Sequence, residues 1–124
     1  MANGLEFIHS KKLVHRDIKP DNVLISASGP TNVQMKLSDF GFCKVTDSEG
    51  KYSMKSGVVG TMDWLAPETV HFTRRPSNNS DVFSLGCVFF YLLRKVHPFG
   101  EEYNIRHNID KDKPVNWDGM LLLH

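Results

Sequence analysis

His15-Arg16-Asp17-Ile18-Lys19-Pro20-Asp21-Asn22 decides how this chain is read. The stretch sets carboxylates, two cations and an amide in one short loop, between an apolar Leu13-Val14 and an apolar Val23-Leu24-Ile25. Asp39-Phe40-Gly41 and Ala66-Pro67-Glu68 follow in order. Each signal alone is weak, since a single Asp more often bonds its own backbone in a turn than acts as a base. Their joint occurrence with Lys19, Asn22, Gly60-Thr61 and Asp81 followed by Gly86 carries the argument.

Around the loop, residues 2–10 read as the end of an amphipathic helix with Leu5, Ile8 and Phe7 on its inner face. Leu13-Val14 begins a short strand, Val23 to Ile25 a second, and Val33 to Leu37 a returning one, with turn chemistry over Ser26 to Asn32. Residues 39–68 show little periodicity, as functional or disordered segments do. Thr69 to Phe72 suggests a short helix, and Asn78-Asn79-Ser80-Asp81 a cap for the apolar run Val82 to Leu93. That run is expected to be a helix buried on every side. His97-Pro98-Phe99-Gly100 reads as a turn, the tail from Glu101 as mixed with a loop at Lys111 to Pro114, and Met120 to Leu123 as the start of an apolar element.

The bulk chemistry excludes several classes. A formal charge of +1 over 124 residues leaves no nucleic-acid footprint, Lys11-Lys12 and Arg74-Arg75 being isolated surface pairs. Cys43 and Cys87 make neither a disulfide framework nor a CxxC site, and Cys43 reads as a small buried side chain. The histidines lack zinc-ligand spacing. The apolar run is shorter than the about 17–25 residues a bilayer span needs, and no signal peptide is visible.

The ordered motifs resemble the catalytic half of a eukaryotic protein kinase. That resemblance implies an α+β fold: a mainly helical C-terminal lobe with short β-hairpins around the catalytic loop. It implies phosphoryl transfer from ATP with Mg²⁺, in which positioning and charge neutralisation do most of the chemistry. Asp17 then stands where the base accepting the hydroxyl proton would be, and Lys19 where a cation offsets charge on the moving phosphate. Asn22 and Asp39 supply oxygen ligands suited to Mg²⁺. Leu24 would form an apolar floor beneath adenine, and Gly41 lets the backbone bend after Asp39. Lys19 and Gly60-Thr61 point to serine and threonine acceptors, with Thr61 bonding near Asp17 and Lys19. Arg16, assisted by Lys44, would pair with a phosphate on the activation segment, with Ser53 and Ser56 the leading phosphorylation candidates and Thr46 and Ser48 behind them.

Ser38 to Lys44, Ser53 to Glu68, and Ser80 to Tyr91 with His97-Pro98-Phe99-Gly100 are together similar to the inositol-requiring sensors of the unfolded protein response, kinases joined to an endoribonuclease. The 2-5A-dependent ribonuclease is a more distant likeness. The resemblance spans residues 4–108. It implies autophosphorylation in trans at Ser53 and Ser56, a homodimer, and a parent protein anchored in the endoplasmic reticulum membrane with its kinase on the cytosolic side. A direct nucleic-acid site and a membrane segment are not expected in this stretch.

The pattern departs from a whole kinase at both ends. Fourteen residues precede His15, and no Gly-rich loop, strand lysine or helix glutamate lies among them. The expectation is therefore a partial kinase domain over residues 1–124, lacking the N-terminal lobe, with Met1 an internal methionine. No arginine follows Arg106 to pair with Glu68. The chain alone is expected to be marginally folded and inactive, and a non-catalytic kinase-like interaction module is the alternative.

Overall fold

In a computed structural model, which describes residues 1–71 and 74–116, the central apolar run lies within the longest helix, Asn78–Arg94. Its N-cap is Ser77, whose side chain accepts from the Asn79 amide. This corrects the expected cap: residues 78–81 form the first turn, and Ser80 and Asp81 turn inward and are buried. Lys95 ends the helix in the left-handed region at φ 61°, its amide donating to the Tyr91 carbonyl. Nor is the helix covered all round. Leu85 and Val88 are buried, while Val82 and Leu93 are 54% and 75% exposed.

We number the helices α1 (Ala2–Ser10), α2 (Pro67–His71), α3 (Asn78–Arg94) and α4 (Ile105–Asp110), and the strands β1 (Leu13–Val14), β2 (Val23–Ala27), β3 (Val33–Leu37) and β4 (Lys44–Val45). The fold is α+β, as expected. Leu5 and Ile8 of α1, three positions apart, share a face that meets Ile18, Leu85 and Val88 in one core cluster. Phe7 falls on the opposite face and is 61% exposed, correcting its inward assignment. A second cluster joins Cys87 and Phe99 to Ile105 and Ile109, with Trp64 against both clusters. Helix α4 has no periodic signal of its own, because polar residues fill the interval between Ile105 and Ile109 and the segment reads as mixed.

The β2–β3 pair is an antiparallel hairpin in register from Val23 opposite Leu37 to Ala27 opposite Val33. β1 pairs instead with β4, Leu13 opposite Val45, so this ladder closes a long excursion of chain rather than a hairpin. Phe72 and the apolar run Met120 to Leu123 lie outside the described residues. No helix among the described residues is long and apolar enough to cross a membrane.

Candidate active site

Asp81 shapes the loop from beneath. Its Oδ2 accepts from the His15 amide at 2.8 Å and Oδ1 from the Arg16 amide at 3.0 Å. His9 Nε2 of α1 meets Oδ2 at 2.9 Å. Arg16 sits at φ 73°, a left-handed conformation that is unfavourable for a side chain with a Cβ. The two amide bonds to a buried carboxylate hold it there. The His15 ring adds a second brace, with Nε2 on the Ser38 carbonyl at 2.9 Å and Nδ1 accepting from the Asp17 amide at 3.2 Å. That pattern requires hydrogen on Nε2 and a free lone pair on Nδ1.

Asp17 is 5% exposed, and its carboxylate is fully engaged. Oδ1 accepts from Thr61 Oγ1 at 2.9 Å. Oδ2 accepts from Asn22 Nδ2 at 3.2 Å and lies 3.9 Å from Lys19 Nζ. Lys19 Nζ also donates to Thr61 Oγ1 at 2.9 Å, so one hydroxyl bridges the ammonium and the carboxylate. Gly60 makes that approach feasible. It has φ 116°, and a Cβ there would lie 2.4 Å from the Arg16 carbonyl oxygen and 2.8 Å from Leu65 Cδ2.

The hairpin carries Asn22 and Asp39 at its open end. Val23 opposite Leu37 is its first pair, and the Ser38 amide donates to the Asn22 carbonyl at 2.9 Å, so Ser38 lies beside Asn22 and Asp39 is the next residue along. The Asn22 amide nitrogen is committed to the Asp17 carbonyl and carboxylate. Its oxygen is the atom left for a cation.

Residues 1–118 match the protein kinase domain family. The chain belongs to the protein kinase family. It is 43% identical over 114 residues to the serine/threonine-protein kinase/endoribonuclease ire-1 of Caenorhabditis elegans, covering 87% of this chain and 12% of that protein. It is 40% identical over 114 residues to the human serine/threonine-protein kinase/endoribonuclease IRE2, covering 88% of this chain and 12% of that protein. Human 3-phosphoinositide-dependent protein kinase 1 is 33% identical over 113 residues, covering 90% of this chain and 19% of that protein. The chain thus spans a small part of the relatives it matches.

Protein kinases work on magnesium-bound ATP, and the donor set here fits that group. Mg²⁺ takes hard oxygen ligands, usually one or two from protein and the rest from water and phosphate. The Asn22 amide oxygen and the exposed Asp39 carboxylate meet that requirement. Among the described residues no cluster of three or more His, Cys, Asp or Glu could hold a metal by itself. Leu24 stands opposite Lys36 and is 59% exposed, an open apolar surface on this kinase-family chain.

Residues 39–68, from Asp39-Phe40-Gly41 to Ala66-Pro67-Glu68, are braced at several points. Arg16 Nε donates to the Phe42 carbonyl at 2.6 Å, and its guanidinium lies 5.9 Å from the Tyr52 ring centre. Lys44 Nζ donates to the Ser53 carbonyl at 2.8 Å rather than to a side chain. Ser56 is exposed, Ser53 half-buried and Thr46 buried. Cys43 is half-buried, not buried, and burial followed by the charge of Asp81 raises its thiol above the usual range. Burial pushes the Cys87 thiol up to about 12. Glu68 does have partners: Ser80 Oγ donates to it at 2.8 Å and Arg74 Nη2 at 3.4 Å, correcting the expectation of an unpaired carboxylate.

Two contributors escaped the sequence reading. The spacing of Asp81 and Gly86 does not reveal that the carboxylate holds the loop; a lone acid one turn inside an apolar helix is the available signal. Arg106 was noted only as the last arginine. Its guanidinium reaches the backbone beside Thr61, a contact no local pattern announces.

Proposed function

We propose that this chain carries the acceptor and metal side of a serine/threonine protein kinase. The observation that carries the reading is the bridge Lys19–Thr61–Asp17, which converges an ammonium, a hydroxyl and a buried carboxylate on one point. In this reading Asp17 accepts the proton of a serine or threonine hydroxyl as that oxygen bonds to the γ-phosphorus of ATP and ADP departs. Lys19 offsets the charge on the transferred group. Asn22 and Asp39 would hold Mg²⁺, whose chemistry is to neutralise and orient the phosphates. Thr61 orients Asp17 and Lys19, and Leu24 lies under the nucleotide base.

The likeness to kinase/endoribonucleases of worm and human supports a finer assignment. The residues would belong to a longer stress sensor with kinase and endoribonuclease activities, anchored in the endoplasmic reticulum membrane with the kinase in the cytosol. It would act as a homodimer that phosphorylates itself in trans at Ser53 and Ser56, with Arg16 binding the phosphate.

The test is phosphate transfer from Mg-ATP by the protein expressed from its complete reading frame, against peptides that differ only in a Ser, Thr or Tyr acceptor. Labelling of the Ser and Thr peptides and not the Tyr peptide is expected. Absence of transfer, or preference for tyrosine, contradicts the reading.

A further inference from the structure

A cluster of charged side chains outside the loop grips the segment that carries Thr61. Arg106 of α4 is 19% exposed at its side chain, and its Nη1 donates to the carbonyls of Met62 and Leu65, each at 2.8 Å. Its Nε and Nη2 donate to Asp110 Oδ1 at 2.9 and 2.6 Å. His71 Nε2 of α2 meets the same oxygen at 2.9 Å. Arg106 and His71 hold the Asp110 carboxyl below its ordinary range despite burial.

The two carbonyls belong to a 3-10 turn, Met62–Trp64, and to its C-cap Leu65. Thr61 is the N-cap residue of that turn, and the Trp64 amide returns to the Thr61 carbonyl at 2.9 Å. The turn is one 3-10 step long, so hydrogen bonds within it are few and weak in geometry. An external clamp therefore decides whether it keeps its shape. A guanidinium suits this role because its rigid fork can serve two carbonyls on one edge and a carboxylate on the other.

We propose that Arg106 is a positioning residue for the hydroxyl-acceptor platform: by clamping residues 62–65 from α4 it fixes Thr61 Oγ1 against Asp17 and Lys19. His71 and Asp110 set the clamp in turn, which links α2 and α4 to the acceptor side of the site. The inference deepens the kinase reading above, and its test separates the two.

Hydrogen–deuterium exchange on the protein from the complete reading frame reads the positioning directly, through the Trp64 and Leu65 amides. Arg106→Gln is expected to speed their exchange by about tenfold, the effect of losing one charge-assisted bond. Arg106→Lys is expected to rescue little, since an ammonium cannot span both edges. Exchange across 82–93 reports whether the fold survives, and the exposed Lys113→Gln serves as control. In phosphate transfer, Arg106→Gln should raise KM for the acceptor peptide about tenfold and leave KM for Mg-ATP unchanged. Unchanged exchange at Trp64 and Leu65 with the fold intact overturns the proposal, as does an unchanged peptide KM. If the unmutated protein transfers no phosphate, the kinase reading fails, and the exchange result still decides whether Arg106 positions Thr61.

Discussion

Replacing Asp81 by asparagine keeps the shape of the side chain and removes the charge that organises the loop from His15 to Asn22. The carboxylate serves three donors: the His15 amide at 2.8 Å, the Arg16 amide at 3.0 Å and His9 Nε2 at 2.9 Å. Asparagine keeps one acceptor oxygen and turns an NH₂ toward at least one of those donors. A lost bond to a charged partner costs about 1.5–3 kcal/mol, and a backbone N–H left buried and unpaired about 1–3 kcal/mol. Release of Arg16 from its left-handed φ of 73° returns about 1–2 kcal/mol. The net local loss is about 2–4 kcal/mol, a large share of the about 5–15 kcal/mol that holds a domain together. Amide exchange at His15 and Arg16 converts this to acceleration of about 30- to 1,000-fold. The exposed Glu102→Gln supplies the reference. An acceleration below about threefold would show that the loop holds its shape without Asp81 and would refute the reasoning.

Three further outcomes follow from other contacts. Gly60→Ala should cost about 2–4 kcal/mol, combining a positive φ with a Cβ 2.4 Å from the Arg16 carbonyl oxygen, and should abolish the Thr61–Asp17 bond; a crystal structure with that bond intact would count against it. Ser80→Ala should lower stability by about 1–3 kcal/mol because Ser80 Oγ is the close, buried partner of Glu68, whereas Arg74→Gln, changing a side chain 75% exposed, should change it by under about 1 kcal/mol; equal effects in urea melts would reverse that ranking. Burial pushes His97 from its ordinary 6.5 down to about 4. The unfolded chain therefore takes up a proton near pH 6.5 that the folded one refuses, and stability falls as pH drops from about 6.5 to about 4, by about 3 kcal/mol. His97→Gln should flatten that slope, and an unchanged slope would exclude His97 as its source.

The parts that the sequence made legible are those whose chemistry lies in short, ordered runs. The β2–β3 hairpin follows from two apolar stretches around Ser26 to Asn32, and its register brings Asn22 and Ser38, the residue before Asp39, together at its open end. What stayed illegible depends on residues distant in sequence. Asp81 lies 66 positions from His15 and Arg106 lies 44 from Met62, so neither contact leaves a local pattern. The β1–β4 ladder, Leu13 opposite Val45, leaves no local pattern for the same reason. The cap of α3 was misplaced within a run of cap-competent residues: Ser77 through Asp81 all carry side-chain acceptors, and only packing shows that Ser80 and Asp81 are needed inside. Phe7 is exposed against expectation because a short helix offers few positions from which to fix its inner face.

In the proposed function Asp17 is the group that receives the acceptor's proton. Its most direct test is steady-state phosphate transfer by Asp17→Asn beside the unmutated protein, both expressed from the complete reading frame, with saturating Mg-ATP and a serine peptide. The account predicts kcat lower by about 10²- to 10⁴-fold with the peptide KM little changed, the signature of a lost general base. A variant that keeps kcat within about threefold of the unmutated protein would contradict it.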